Sequence, residues 1–459
     1  MTKAMTEGNI FKHIFYFSLP IVFGNLFQQA YNLADAAIVG RTLGSNALGS
    51  VGVSSSIQFM VLGFCTGTAM GFTIPIATEF GAERHDRMRK YYFNGEILLV
   101  ITAVLLTALT MVLCKPILHL LKTPDELYSD AYAYLFTIFA GIPFTLLYNY
   151  LSSVLRAIGD SKTPFLFLAF SATLNIFLDF FCILRLNMGV FGAAFATVVS
   201  QAISGILCFI YLKKKINILR LNKEDRVFDK VMALKSVNIG VPMGLQYSIT
   251  AIGSMVMQIA NNSLGTVYVS AYAAGLKIKQ FMMSPLTAFA SATATFISQN
   301  YGAEKPDRIK KGLETGWLIA VVYGCIAALV MNLFGKNLSQ LFLDSGNTEI
   351  ISASAKYLAW IGLFYPMLGT LDIFRQSMQG IGRSRLSVVG GVLEMIARIF
   401  VCAVFTSRFG FNAICCADQA AWTSAVLFLI PAMYQNLKRI KQEIIADQAA
   451  RKLHEACNK

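Results

Sequence analysis

Long apolar stretches alternate with short polar ones along almost the whole chain. Runs of about 20 mainly apolar residues, the length of a helical membrane crossing, are centred near residues 24, 64, 102, 141, 174, 201, 248, 286, 324, 364, 396 and 424. A membrane β-barrel would instead show short segments of alternating polarity. The pattern therefore predicts an all-α integral membrane protein with twelve transmembrane helices.

Composition and charge placement support the membrane assignment. The 459 residues are 56% hydrophobic and 14% charged, whereas soluble domains are about 25% charged. The net charge of +14 concentrates in residues 83–90, 213–230, 304–311 and 382–385 and in the tail from Lys438, which all fall on one side of a twelve-span chain. The positive-inside rule makes this side cytoplasmic, with both termini. We expect a multi-pass protein of the inner (plasma) membrane, in contact with the lipid bilayer and without a nucleic-acid partner.

The chain contains an internal duplication. The stretch "GAERHDRMRK" begins at Gly81 and "GAEKPDRIKK" at Gly302, while Pro143 in "GIPFTLL" matches Pro366 in "FYPMLGT". Six spans separate the copies, so both have the same orientation, as in parallel repeats related by an axis along the membrane normal. This predicts two six-helix lobes around a central cavity, the layout of a rocking transporter. The predicted parts are an N-terminal lobe (1–212), a cytoplasmic basic linker (213–233), a C-terminal lobe (234–437) and a cytoplasmic tail (438–459).

Three further features carry a family resemblance. They are the stretch "SLPIVFGNLFQQAYNLADAAIVGRTLGSNALGSVG" (18–52), the "GAE…DR" loops of both halves, and "RAIGDSKTP" (156–164). These resemble the multidrug and toxic-compound extrusion (MATE) transporters of bacteria, and the similarity runs from about residue 10 to 440. The resemblance implies export of small, cationic or amphipathic organic compounds in exchange for H⁺ or Na⁺. We expect a monomer.

Polar residues inside the first and fifth spans indicate a functional site. Gln28, Tyr31 and Asp35 fall at i, i+3 and i+7, on one helical stripe, and Asn175 and Asp179 lie one turn apart in "TLNIFLDFFC". A carboxylate at mid-span costs roughly 2.5–3.5 kcal/mol on insertion scales, so it indicates function by default. Interhelical hydrogen bonding is the alternative, and it stays open for Asn175.

The family resemblance implies that these side chains join Thr197 of the sixth span in one cation-coupling cluster. A purely structural hydrogen bond is the alternative for Thr197. Two carboxylates in a poorly hydrated pocket cannot easily both ionise, so H⁺ is one candidate ion. The other is Na⁺, which would be held by oxygen atoms of Asp35, Asn175, Asp179 and Thr197, since hard cations prefer such ligands.

The second lobe lacks a matching cluster. By the repeat offset, Met257 or its neighbour corresponds to Asp35, and Arg398 corresponds to Asn175. Arg398 lies four residues after Glu394, a spacing that favours a structural ion pair within one helix. We therefore expect ion coupling mainly in the first lobe.

The substrate cavity is expected to combine adaptable methionines with a few polar groups. Methionine is flexible and polarizable and is common at promiscuous surfaces, although ordinary helix packing is the alternative. For Asp372 the alternative is an ion pair with Arg375, and Lys277 is expected to pair with an acid of the second lobe. The candidates are Gln246, Met257, Met282, Asp372 and Lys277.

Two prolines lie inside predicted spans. Pro20 in the first span and Pro242 in the seventh remove a backbone donor and weaken the helix locally. In the resembled family a first-span proline of this kind is linked to bending. Both are candidate helix hinges, with a fixed kink as the alternative.

Other functions compete with antiport. A lipid-linked oligosaccharide flippase of the same superfamily would need cavity arginines to hold pyrophosphate, and few arginines lie deep in the spans. An intramembrane enzyme or a channel is less favoured, because no HExxH or GxSxG motif falls in a span. The nine cysteines show no CxxC or evenly spaced set. We predict a secondary antiporter with no cofactor and no resident metal other than the coupling ion.

Overall fold

The computed structural model describes residues 4–120, 123–343 and 346–457, which form helices joined by short turns with no strand among them. A π-helical turn, Phe181–Arg185, and two 3₁₀ turns, Asn217–Leu219 and Lys223–Asp225, supplement the α-helices. The α-helices are α1 (Ile10–Leu43), α2 (Ser45–Phe72), α3 (Ile74–Gly81), α4 (His85–Leu120), α5 (Asp125–Ala140), α6 (Ile142–Ala157), α7 (Lys162–Phe180), α8 (Gly189–Lys215), α9 (Lys230–Asn262), α10 (Thr266–Gly302), α11 (Pro306–Gln340), α12 (Thr348–Leu363), α13 (Tyr365–Gly380), α14 (Ser384–Phe409) and α15 (Phe411–Cys457).

These helices account for all twelve predicted spans. Within the described residues, nine helical segments are long and apolar enough to cross a membrane, and two bent helix pairs bring the number to eleven. The twelfth predicted span is α9, which is 33 residues long but carries polar side chains such as Asn238, Gln246 and Thr250. The predicted all-α membrane fold is confirmed.

Two of the predicted spans are each built from a bent pair of helices. α5 and α6 meet at 44°, and α12 and α13 meet at 53°. Pro143 and Pro366 each lie in the first turn of the second helix of their pair. Proline cannot donate the backbone hydrogen bond that would continue the preceding helix. The bends therefore occur at the two prolines that the duplication predicted to be equivalent.

Apolar side chains cover the outer faces of several helices. On α4, Val100, Val104, Leu105 and Val112 are 61–75% exposed. Lipid tails are as apolar as these side chains, so such a face costs nothing in a bilayer. The helix is therefore built to face lipid rather than water.

The chain divides into two compact units. The first contains Leu19–Ile76 and His85–Met255; the second contains Ala4–Ser18, Ala77–Arg84 and the chain from Val256 onward. The lobe, linker and tail boundaries drawn from the sequence stay a prediction. Residues 1–3 and 458–459, at the outer ends of the predicted first lobe and tail, lie outside the described residues.

The basic linker is fixed to the first unit. Arg89 on α4 donates from Nε to Oδ2 of Asp225 at 2.8 Å, and Asp225 is buried. Asn94, five residues further along α4, donates to the carbonyl oxygen of Val227 at 3.2 Å and accepts from the backbone N–H of Asp229 at 2.9 Å. The segment before α9 is thus held by specific hydrogen bonds.

The N-terminal segment is fixed to the second unit in a comparable way. Arg308, in the second copy of the repeated motif, donates to the carbonyl oxygens of Met5 and Gly8, each at 3.1 Å. Lys305 donates to the carbonyl oxygen of Thr6 at 3.0 Å. The motif "GAEKPDRIKK" therefore anchors the residues that lead into α1.

Candidate cation site

The predicted polar cluster of the first unit comes from three helices. Asp35 lies in the second half of α1, Asn175 and Asp179 in the last two turns of α7, and Thr197 on α8. Asn175 and Asp179 are almost fully buried, and Asp35 and Thr197 are half-buried. Asn175 Nδ2 donates a long hydrogen bond of 3.5 Å to Thr197 Oγ1. This contact joins α7 to α8 next to the two carboxyl groups.

The carboxyl groups of Asp35 and Asp179 interact directly. An ionised carboxylate is an acceptor only, so the pair can form a hydrogen bond only when one of the two holds a proton. Oδ1 of Asp35, both carboxyl oxygens of Asp179 and Oδ1 of Asn175 are buried without a hydrogen-bond donor. Leaving a buried acceptor unpaired costs about 1–3 kcal/mol each. These four donor-free oxygens belong to three residues of α1 and α7, and a cation site at this cluster stays a prediction.

Tyr31 and Gln28 extend this cluster along α1, as their spacing predicted. The Gln28 side chain lies beside the Tyr31 hydroxyl, together with Gln201 of α8. Tyr134 of α5 is buried and lies within electrostatic range of Asp35. The sequence interpretation missed Gln201 and Tyr134. Gln201 follows Thr197 by one helical turn, so the i+4 spacing could have found it, whereas a lone tyrosine in an apolar span gives no such signal.

The type of helix changes two residues after Asp179. α7 ends at Phe180 and continues as the π-helical turn Phe181–Arg185, in which Leu186 N–H bonds to the Phe181 carbonyl oxygen at 3.1 Å. Such turns are rare in proteins overall, but those that occur are often found at functional sites. The first turn of α8 lies close to the π-helical turn, because a Cβ added at Gly192 would lie 3.2 Å from the Cβ of Cys182. The turn and this close approach fix α8 against the end of α7.

Charged side chains of the second unit form a different arrangement. The predicted pair of Glu394 and Arg398 is present, with 3.6 Å between Oε2 and Nη2. Arg398 also contacts Asp418 Oδ1 at 3.1 Å from both Nε and Nη2. Glu394 binds Arg375 of α13 as well. The pair is therefore part of a longer buried network.

The expectation for Lys277 and the alternative considered for Asp372 are both wrong. Lys277 is exposed with its Nζ 5.8 Å from the centre of the Phe342 ring, and Lys279 pairs with the acid Asp418 instead. A helix rotates about 200° over two residues, so only one of these lysines can face the core. Arg375 pairs with Glu394 rather than with Asp372, whose Oδ2 is buried without a donor.

The remaining candidates occupy separate parts of the molecule. Gln246, in the part of α9 that belongs to the first unit, is buried and donates to Thr250 Oγ1 at 3.2 Å. Met257 is buried and Met282 half-buried, both in the second unit. A substrate-contacting role for these residues, for Asp372 and for Lys277 stays a prediction.

Both predicted hinge prolines lie inside continuous helices. Pro20 is in α1 and Pro242 in α9. Neither helix ends at its proline, unlike the helices that precede Pro143 and Pro366. Bending at these two positions stays a prediction.

The duplicated, multi-pass helical fold with paired intramembrane carboxyl groups is that of a secondary transporter. The MatE family model matches the chain twice, over residues 20–181 and 242–404. The chain belongs to the MatE family, as the sequence resemblance predicted, and the two matches confirm the duplication. Members of this family are transporters rather than enzymes.

Individual relatives cover nearly the whole chain. It is 30% identical over 405 residues to the probable multidrug resistance protein YpnP of Bacillus subtilis, covering 88% of this chain and 89% of that protein. It is 22% identical to the multidrug export protein MepA of Staphylococcus haemolyticus, covering 95% of each chain. An outward-facing multidrug resistance MATE family transporter matches the fold with a TM-score of 0.89 at 20% identity, covering 95% of this chain and 98% of that one.

Proposed function

We propose that this protein is a secondary antiporter that exports small cationic or amphipathic organic compounds in exchange for H⁺ or Na⁺. The observation that carries this proposal is the set of four donor-free buried oxygens on Asp35, Asn175 and Asp179. The names of the relatives, which refer to multidrug resistance and multidrug export, support drug export over lipid-linked oligosaccharide flipping.

The mechanism follows from the charge of the cluster. With Asp35 and Asp179 both ionised, two negative charges lie close together in a poorly hydrated environment, which favours uptake of one cation. A proton would bridge the two carboxyl groups, while Na⁺ would draw ligands also from the amide oxygen of Asn175 and the hydroxyl oxygen of Thr197. Either ion removes the repulsion between α1 and α7. Loading and release of the ion thus change the force between these two helices.

Movement of α1 relative to α7 is the step that links the ion to transport. An ion can shift a conformational equilibrium only by its differential affinity for the two states. The cluster binds the ion with different affinities in the two states if the distance between α1 and α7 changes, because both carboxyl groups contribute to the affinity for the ion. The half-buried Asp35 is the member through which the ion enters, since Asp179 is fully buried.

Location and orientation belong to the same proposal. The protein is placed in the plasma membrane with both termini and the linker cytoplasmic, on the ground of the positive-inside rule. It acts as a monomer.

Dye transport in proteoliposomes tests the proposal. The purified protein is reconstituted, and ethidium movement is followed under a proton gradient and, separately, under a sodium gradient. We expect movement with one of the two, and its loss in Asp35→Asn, whereas Asp130→Asn, at an exposed position of α5, should leave it unchanged. Dye movement that responds to neither gradient, or that persists in well-folded Asp35→Asn, would contradict antiport through this cluster.

A further inference from the structure

The two halves of the chain make equivalent contacts with different chemistry. In the first unit, Asn175 on α7 bonds to Thr197 on α8. In the repeat alignment Arg398 corresponds to Asn175, and Asp418 corresponds to Thr197 through the match of "GVFGAAFAT" (189–197) with "GFNAICCAD" (410–418). Arg398 and Asp418 also bond to each other, between α14 and α15 at 3.1 Å. The second unit thus retains the contact but replaces an amide and a hydroxyl by two full charges.

A third charge completes the arrangement around Asp418. Lys279 on α10 binds Oδ2 of Asp418, while Arg398 binds Oδ1. The Lys279 ammonium also lies 5.4 Å from the centre of the Trp422 ring, a cation–π distance. The Tyr357 hydroxyl is 3.5 Å from the same carboxyl oxygen as Lys279. Asp418 is therefore enclosed by donors on several sides and only 2% exposed.

The wider network balances in charge. Lys279, Arg375 and Arg398 supply three positive charges, and Asp418 and Glu394 supply two of the negative ones. Asp372, one turn before Arg375 on α13 and buried, supplies the third when it is ionised, as at alkaline pH. Because an uncompensated charge is very unfavourable in such surroundings, each cation of the set is needed.

We infer that Lys279 is a tethered cation that permanently fills the second unit's counterpart of the coupling site. The counterpart of Thr197 is a carboxylate, Asp418, whose positive partner Lys279 is covalently part of α10 and cannot exchange with solution. The second unit is then locked in the cation-loaded condition, and the protein has one exchangeable site, in the first unit. This inference rests on the proposed function for its link to coupling.

Removing the tethered cation should convert the locked position into one that takes a free cation. Lys279→Met leaves one excess negative charge in a buried network, which a small ion, Na⁺ or H⁺, would neutralise. The titratable and charged groups facing Asp418 are Lys279 and Tyr272 of α10, Tyr357 of α12, Tyr365 of α13, and Glu394, Arg398 and Cys402 of α14. Of these groups, only Lys279 is changed by the substitution.

The experiment measures thermal unfolding of purified protein in detergent. An Asp35→Asn, Asp179→Asn background removes the response of the first unit. In that background, Lys279→Met is compared with the matched control Lys277→Met, a lysine on the same helix outside the network. Unfolding is recorded while Na⁺ replaces choline at alkaline pH, and again as the pH is lowered in choline.

We expect Lys279→Met to unfold several degrees lower in alkaline choline and to recover on addition of Na⁺ or acid. The background and Lys277→Met should show neither effect. Adding Asp418→Asn to Lys279→Met should restore stability without any added cation, because it removes the unpaired charge. If Lys279→Met yields no folded protein, this double substitution decides: folded protein supports the inference, and its absence overturns it.

A Lys279→Met variant that behaves like Lys277→Met would overturn the inference, as would a double variant no more stable than Lys279→Met. The readout requires no transport. If the protein fails to export ethidium while the unfolding temperature of Lys279→Met still depends on added cation, the proposed function is rejected and the inference about Lys279 stands.

Discussion

Replacing Glu394 by glutamine should destabilise the protein severely. Glu394 is 1% exposed and binds the guanidinium groups of both Arg375 and Arg398. Arg398 would keep Asp418 as its partner, but Arg375 would lose its ion pair, and its Nε already has no hydrogen-bond partner. Breaking a buried pair from one side costs about 3–5 kcal/mol. At roughly 2–4 °C per kcal/mol for a folding unit of this size, the Tm should fall by about 6–20 °C.

The assay is thermal unfolding of purified Glu394→Gln protein in detergent. The matched control is Glu314→Gln on α11, where Glu314 forms an exposed pair with Lys310 at 3.8 Å. Exposed pairs contribute roughly 0–1 kcal/mol, so this variant should unfold close to the wild-type temperature. The protein that does fold with Glu394→Gln should keep its ion coupling. Equal Tm values for the two variants would refute the view that Glu394 neutralises a buried network.

Other expectations concern packing and topology. Gly302→Ala would place a Cβ 1.8 Å from the carbonyl oxygen of Thr78, so the yield and Tm of this variant should fall. Gly52→Ala, whose added Cβ has no atom within 4 Å, should be neutral or stabilising. Similar Tm values for the two variants would contradict this packing. A cysteine at Asn222 should react with impermeant maleimide only from the cytoplasmic side and one at Asn412 only from outside, and the reverse pattern would overturn the topology.

The helical type and the number of the membrane spans could be predicted from the sequence because each span must be mainly apolar. The duplication also predicted equivalent prolines, and the structure places a bend at both Pro143 and Pro366. The sequence does not say that these prolines divide their spans into separate helices, while Pro20 and Pro242 lie inside continuous ones. That difference depends on how neighbouring helices satisfy the freed backbone groups.

The candidate site was predictable where one helix carries several of its members. The Gln28, Tyr31 and Asp35 stripe and the Asn175 and Asp179 pair follow from the 3.6-residue period. Contacts between helices were harder to predict from the sequence, because the rotation of a helix about its axis is set by its packing partners. Lys277 and Lys279 illustrate this point, since the pattern of α10 alone could not show that Asp418 of α15 would select the second lysine.

The measurement that tests the central claim most directly is ion-driven ethidium transport in proteoliposomes by Asp35→Asn, Asp179→Asn and the double variant. If the two carboxyl groups share one coupling ion, each single variant should lose coupling, and the double variant should be no worse than the poorer single one, because neighbours that act as a unit are non-additive. Asp130→Asn should remain fully coupled. Full coupling in Asp179→Asn, with loss of coupling in folded Glu394→Gln, would place the ion site in the second unit and contradict the account.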